Sequence, residues 1–376
     1  MKIPRVVVAG QMPPPYGGQN VMVEALLREL RAGGHFRVDH LKFQFTPSFK
    51  NLRKGSVLKL IEAFNVLLRL LGLRLNGAID VMIYPSGGPQ LVPLLRDILL
   101  LPFMFLAARR VIIQFHAAGV AERFSDRRGI LFYLIRLLYS SASAAIVMTD
   151  FNRRDPQVLS LGKIYVIPHR IEDQFQAELL ARGRDPLRLF YAGHLCPDKG
   201  TPTLLEAFSR ISQKHLNIQL HLAGECLTPF TQDDLQKMIV ALGLTNRVHV
   251  HGVVTGEQKW RLFGQADVFV FPSIAPYESF GLVMAEAMMW GLPLVVSDWR
   301  GNLDVAGRGS GVIFYHPETD PVLGLFSAMD KMVSMRSEWK SMGEENRRRF
   351  EGFFCRANSI QTGCEAALSD VLADGQ

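Results

Sequence analysis

Four cysteines are scattered through 376 residues, at Cys196, Cys226, Cys355 and Cys364, with no disulfide or metal-site spacing. That pattern argues against a disulfide-stapled secreted scaffold or a zinc module and fits a reducing cytoplasm. Long hydrophobic runs are also missing. The longest uncharged apolar stretch, 98–108, is too short to cross a bilayer and contains Pro102. No leader pattern is read at the start, where Met1-Lys2-Ile3-Pro4-Arg5 runs straight into VVVAG. The first strand is followed by neither a G-x-G-x-x-G fingerprint nor a P-loop lysine. Acidic residues are in deficit: 42 Lys and Arg against 35 Asp and Glu give a net charge of +7. Anionic partners follow from that balance. Nucleotide diphosphates and phospholipid rank ahead of nucleic acid, because no nucleic-acid-binding motif is present.

What is present is globular in composition, with 48% hydrophobic and 20% charged residues. The length predicts two domains. Short β-branched and aromatic runs predict strands at 5–9, 37–43, 79–84, 111–115, 144–148 and 164–167. A second set follows at 187–192, 218–223, 247–251, 267–271, 293–297 and 311–314. Helical patterns separate them, so the fold class is α/β with two Rossmann-like parallel-sheet domains. The boundaries read as 1–176 and 177–349, with a linker in 172–186 and a charged helical tail over 338–375.

The stretch 267–298, DVFVFPSIAPYESFGLVMAEAMMWGLPLVVSD, is the most informative. It predicts a strand ended by Pro272, a polar loop, a helix from Gly281 to Trp290, a stop at Gly291 and Pro293, and another strand. The helix is apolar on nearly every face and is expected to be buried. Glu286 sits in its second turn and Glu278 in the loop before it. A buried carboxylate needs a partner. A helix start suits a phosphate. Two carboxylates flanking such a start suit hydroxyls on either side of a phosphate, the layout of a nucleotide sugar. The plainer reading is a core helix whose Glu pairs with a neighbouring Arg.

Glu278 and Glu286 with this surrounding segment resemble the E-x7-E motif of glycosyltransferase family four, the retaining group 1 glycosyltransferases of the GT-B fold. The resemblance covers most of the chain and is strongest over 187–315. It implies two Rossmann-like domains with parallel sheets facing across a cleft, a last helix from about Phe350 that returns to the first domain, and metal-independent hexosyl transfer. It also implies site roles. Glu278, Lys199 and His116 are the expected catalytic residues. Gly17, Gly18, His194, Ser279, Phe280, Gly281, Leu282, Glu286, Gly252 and Val253 are the expected donor-binding positions. Glu286 would hold the ribose, Glu278 the sugar and Lys199 the leaving diphosphate. The loop after Gly252 would meet the base through its backbone. Gly301 and Asp304 resemble the family's G-x-x-E turn.

Two departures stand out. His194 occupies the place of a family arginine, and a protonated imidazole there would replace part of its charge, with Arg170 able to reach in. The segment VIPHRIEDQF lacks the family's Asn-Gly turn and has His169-Arg170-Ile171-Glu172 instead. In the first half, the PSGGP segment at 85–89 reads as strand and turn, with Gly87 and Gly88 at a ligand-facing strand end. Helical stretches at 52–75, 91–110 and 129–139 are more apolar than a sheet-covering helix needs, and carry Arg53, Lys54, Lys59, Arg69, Arg74, Arg96, Arg109, Arg110 and Arg136. Either they pack ordinarily on the sheet or they present apolar surface to lipid. The expected function is transfer of a hexose from a nucleotide diphosphate sugar to a lipid-linked or growing surface-glycan acceptor, as in polysaccharide or lipopolysaccharide synthesis. The only small-molecule requirement expected is the nucleotide diphosphate sugar, with no metal. The expected location is cytoplasmic and peripheral on an anionic membrane. The alternatives are a degenerate scaffold of the same fold and a sugar-nucleotide epimerase or phosphorylase.

Overall fold

The computed structural model describes residues 3–13, 18–43, 57–183, 185–355 and 360–374. The chain forms two compact units, residues 1–170 with 357–376, and residues 171–356. The first unit holds β1 (Arg5–Gly10), β2 (Arg37–Lys42), β3 (Ile79–Pro85), β4 (Ala108–Gln114), β5 (Ala144–Val147) and β6 (Ile164–Val166). Its helices up to β6 are α1 (Gly18–Gly33), α2 (Val57–Leu75), α3 (Leu91–Ala107), α4 (Val120–Arg123), α5 (Ile130–Ser140) and α6 (Arg154–Val158). The second unit holds β7 (Leu187–Ala192), β8 (Ile218–Ala223), β9 (Val248–Gly252), β10 (Val268–Phe271), β11 (Leu294–Ser297) and β12 (Val312–Tyr315). Between and after them run α7 (Thr201–Lys214), α8 (Gln232–Ala241), α9 (Gly256–Gln265), α10 (Leu282–Met289), α11 (Asn302–Ala306), α12 (Pro321–Ser334) and α13 (Trp339–Arg349). The last helix, α14 (Ile360–Ala373), belongs to the first unit and packs on α1.

Each unit has one six-stranded sheet, and every described pairing is parallel. Each strand read from the sequence is present; the central ones, such as β1, β5, β10 and β11, are short apolar runs buried on both faces, while the edge strands β2, β6, β9 and β12 are only partly buried. The second sheet has the order β12-β11-β10-β7-β8-β9, the Rossmann order. The first has the order β2-β1-β3-β4-β5-β6, which is flavodoxin-like at its start. Strand order reverses between β7 and β10 in one sheet and between β1 and β3 in the other. Ligands of open α/β sheets bind outside the strand C-termini at such points.

Two local readings are corrected. The expected helix over 91–110 stops at Ala107, because Ala108 and Arg110 already pair in parallel with Ile79 and Val81. The expected strand character of PSGGP is confined to Pro85, and Ser86 to Gln90 form a loop.

That loop is held by a polar cluster buried under the first sheet. Asp97, fully buried on α3, accepts from Tyr84 Oη at 2.7 Å, Tyr139 Oη at 2.5 Å, the Gly87 amide at 3.0 Å and Arg96 Nη2 at 2.8 Å. Arg96 Nη2 also donates to the Pro85 carbonyl at 3.0 Å. Burial, with the Asp97 charge adding to it, pushes both tyrosine hydroxyls well above their ordinary range, so they remain donors. Removing the acceptor strands a buried guanidinium and two hydroxyls. Asp97→Ala is therefore expected to destabilise the first unit by about 3–5 kcal/mol, read as a lowered denaturant midpoint. A shift within the noise would mean the cluster is solvated.

Candidate functional site

The second unit brings two predicted residues into direct contact at its switch point. β7 ends at Ala192, and the chain then runs through His194 to a short 3-10 turn, Pro197–Lys199. Across from it, β10 ends at Phe271 and leads into the loop 272–281. Lys199 Nζ lies 2.6 Å from Glu278 Oε2, with side-chain exposures of 14% and 7%. Ser273 Oγ donates to the same carboxylate oxygen at 2.5 Å. The two loops are also stitched by backbone, Ile274 N–H to the Asp198 carbonyl at 2.9 Å. Gly200 makes this approach possible. Its φ is +76°, and a Cβ there would sit 2.3 Å from the Pro272 carbonyl oxygen.

The loop 272–281 is braced from behind. Ser297 Oγ donates to the Ser273 carbonyl at 2.6 Å, and Trp299 Nε1 donates to the Ala275 carbonyl at 2.9 Å. Asn302 Nδ2 donates to Ser297 Oγ at 3.0 Å. Gly281 caps α10 with φ +64°, where a side chain would run into the Phe271 ring and Met284. Ser279 and Phe280 are buried, and the Phe280 ring packs edge-on against Phe354 with centroids 5.7 Å apart. Leu282 opens the helix and is half-buried.

α10 is buried as its composition predicts, and Glu286 is a polar exception on it. Its Oε1 accepts from Lys259 Nζ at 2.5 Å, while Oε2 is shielded from solvent with no hydrogen-bond partner among the described residues. The partner is thus a lysine of α9 and not the arginine of the plainer reading. Lys259 was missed at the sequence level, since a lysine on an amphipathic helix reads as solvated. The site therefore carries two lysine–carboxylate pairs. Each lysine is a donor for an anion and each carboxylate an acceptor for hydroxyls.

Gly252 ends β9 with φ +67°, and Val253 after it is 66% exposed. Behind this end, His249 and His251 point to one face of β9, as the two-residue period of VHVHG implies, and stack on His221 of β8. His221 Nδ1 is 3.0 Å from His251 Nε2. Burial first, then its two neighbours, depress the His221 pKa to about 3.

The remaining predicted positions belong to the first unit. Gly18 starts α1 and is exposed, and Gly17 lies outside the described residues. His116 follows β4, with both ring nitrogens out of solvent and its ring stacked on His169 at 5.9 Å. Within the first unit, Arg170 Nη1 is 3.4 Å from Glu29 Oε1. One expectation is corrected. His194 does not supply a replacement charge, because burial and then the Lys199 ammonium hold its pKa below the ordinary histidine value, leaving it neutral at pH 7. It also offers its main chain: the His194 carbonyl accepts from Tyr191 Oη at 2.7 Å.

Burial lowers the His116 pKa to about 4, and burial followed by His116 lowers that of His169 well below ordinary. Above about pH 6.5 both folded and unfolded imidazoles are neutral. Below it the unfolded chain takes up protons that the folded unit refuses, so stability falls as pH drops from about 6.5 toward 4. His116 alone is expected to contribute a loss of up to about 3 kcal/mol. Thermal midpoints between pH 7.5 and 4.5 check this, with His116→Gln flattening the profile; an unchanged slope in the variant would reject the assignment.

Residues 172–349 match the family model for glycosyl transferases group 1. An uncharacterized glycosyltransferase, YqgM, of Bacillus subtilis is 32% identical over 46% of this chain and 46% of its own, so the match spans about half of that relative's length. An alpha-D-kanosaminyltransferase of Streptomyces kanamyceticus is 28% identical over 71% of this chain and 70% of its own. Among solved structures, a sucrose-phosphate synthase from Thermosynechococcus elongatus superposes with a TM-score of 0.77 at 18% identity, covering 99% of this chain and 100% of that one. The two-sheet architecture is the GT-B fold. Over residues 172–349, just under half of its length, the chain resembles the glycosyl transferases group 1 family.

Proposed function

We propose that the chain transfers a hexose, with retention and without a metal, from a nucleotide diphosphate sugar to a lipid-linked or growing surface-glycan acceptor. The observation that carries this reading is the pair of lysine–carboxylate contacts, Lys199–Glu278 and Lys259–Glu286, with the first at the switch point and one Glu286 oxygen without a hydrogen-bond partner among the described residues. A buried acceptor atom without a donor costs free energy that a ligand hydroxyl recovers. In this reading Glu286 accepts from the ribose. Lys199 turns from Glu278 to the diphosphate, whose charge grows as the glycosidic bond breaks. Glu278, released, orients the sugar hydroxyls. The start of α10 adds its dipole at the phosphates.

By the resemblance, the departing phosphate itself takes the acceptor proton on the same face, and no separate base is needed. His116 and the loop at Gly17 and Gly18 serve the sugar and acceptor. His116, neutral at pH 7, acts as a hydrogen-bonding group and not as a cation. No resident cofactor is called for beyond the sugar nucleotide as co-substrate. The proposed location is cytoplasmic and peripheral on the membrane, as a lipid-linked acceptor requires.

A thermal-shift panel of UDP, GDP, ADP and CMP tests the donor side. A diphosphate at about 100 times its dissociation constant stabilises by roughly 2.7 kcal/mol. One diphosphate is expected to shift the midpoint, and Glu286→Ala to abolish that shift while the unliganded variant still melts cooperatively. Unchanged affinity in the variant would sink the role of Glu286. No shift with any nucleotide would favour a non-catalytic scaffold of the same fold.

A further inference from the structure

The first unit covers the two faces of its sheet differently. β1 to β2 runs one way across the sheet through α1, while β2 to β3, β3 to β4 and β4 to β5 run the other way through α2, α3 and α5. With right-handed crossovers, that puts α2, α3 and α5 together on the face opposite α1. They pack side by side, α2 on α3 and α3 on α5.

Each of the three carries two apolar stripes. The inward one joins the core: Val66 and Leu70 from α2, Leu94 and Met104 from α3, Phe132 and Ile135 from α5. The outward one faces solvent at helical spacing. On α2 it comprises Phe64 (61% exposed), Leu68, Leu71 and Leu75 (78%). On α3 it comprises Leu95, Leu99, Phe103 and Leu106 (82%). On α5 it comprises Ile130 (76%), Tyr133, Leu134 and Leu137. The charged residues of α3 are Arg96 and Asp97, both drawn into the cluster beneath the sheet, so its outer side is uncharged over its whole length. A solvent-facing helix layer is ordinarily polar on its outer side. Contiguous apolar surface of this extent marks a docking face.

The surrounding charge identifies the occupant. Residues 57–140 contain ten basic and five acidic side chains. Of the acids, Asp97 is buried, and Glu62, Asp80 and Glu122 are each paired with an arginine. Arg74, Arg123, Arg127, Arg128 and Arg136 have no acidic partner among the described residues. Apolar stripes flanked by uncompensated arginines match acyl chains below anionic headgroups. No described helix is long and apolar enough to cross a bilayer. We infer that the outer face of α2, α3 and α5 is a peripheral docking surface for an anionic lipid bilayer. This deepens the membrane part of the function proposed above and does not depend on its chemistry.

The test is co-sedimentation of the full chain with phosphatidylcholine vesicles, with and without phosphatidylglycerol, at low and high salt. Pelleting is expected with the anionic vesicles, weakened by salt and by removal of phosphatidylglycerol. The triple variant Phe64→Asp, Leu99→Asp, Leu134→Asp is expected to lose vesicle affinity by at least about tenfold. Its midpoint and its diphosphate shift are expected to stay native, since the three side chains already face water. Failure of the native chain to pellet with anionic vesicles at low salt would overturn the inference. So would equal pelleting of the variant, or a native dimer that the variant dissociates. None of these readouts uses a sugar donor, so donor-site failure and docking failure are separable.

Discussion

The contact between Lys199 and Glu278 is the constraint around which the second unit is arranged. Two nearly buried opposite charges are tolerable only together, since either one alone would carry a desolvation cost of several kcal/mol. Each sits on a loop leaving a different strand, and the strands are neighbours only because the sheet reverses direction between β7 and β10. The topology therefore delivers the pair. The pair in turn needs Gly200, without a side chain, where the backbones almost touch, and Ser273 for the remaining donor. Behind it, Ser297, Trp299 and Asn302 tie the loop to the next strand end and helix. The arrangement is satisfied without ligand and chemically ready for one, because an ammonium and a carboxylate held together are also an anion site and a hydroxyl site held apart.

The central strands were legible because each is a short, continuous apolar run, as parallel strands buried on both faces must be, and edge strands such as β9 by their two-residue alternation. α10 was legible for a similar reason, down to its Gly291 stop. The site was legible where the local motif and the strand ends coincide, at Glu278 and Lys199. Lys259 was not. It reaches Glu286 from a helix 27 residues earlier, and nothing in its own surroundings distinguishes it from a solvated lysine. The same holds for Asp97, whose partners Tyr84 and Tyr139 come from a strand and another helix. Long-range polar pairing leaves no periodic trace.

His194 shows the opposite failure. Its residue type suggested charge at the donor site, but protonation is set by burial and by neighbours in space. His194 lies beside an ammonium and partly out of water, which disfavours a second cation. The apolar surplus of α2, α3 and α5 was read as sheet packing or as surface facing lipid. These helices carry apolar side chains both buried on the sheet and exposed to solvent, and only the burial of individual side chains tells the two sets apart.

One further contact bears on how such a chain is assembled. The Ile171 amide donates to the Phe354 carbonyl at 3.1 Å, so the two ends of the second unit lie hydrogen-bonded to each other. In sequence, residues 171–356 are thus an insertion between the two parts of the first unit, and the described ends of that insertion meet. A module of that kind can be lifted out, exchanged or rejoined at its ends without rethreading the host sheet. The family match lies entirely inside this module. Recombination at such paired ends lets a lineage keep one half of a protein of this kind while replacing the other.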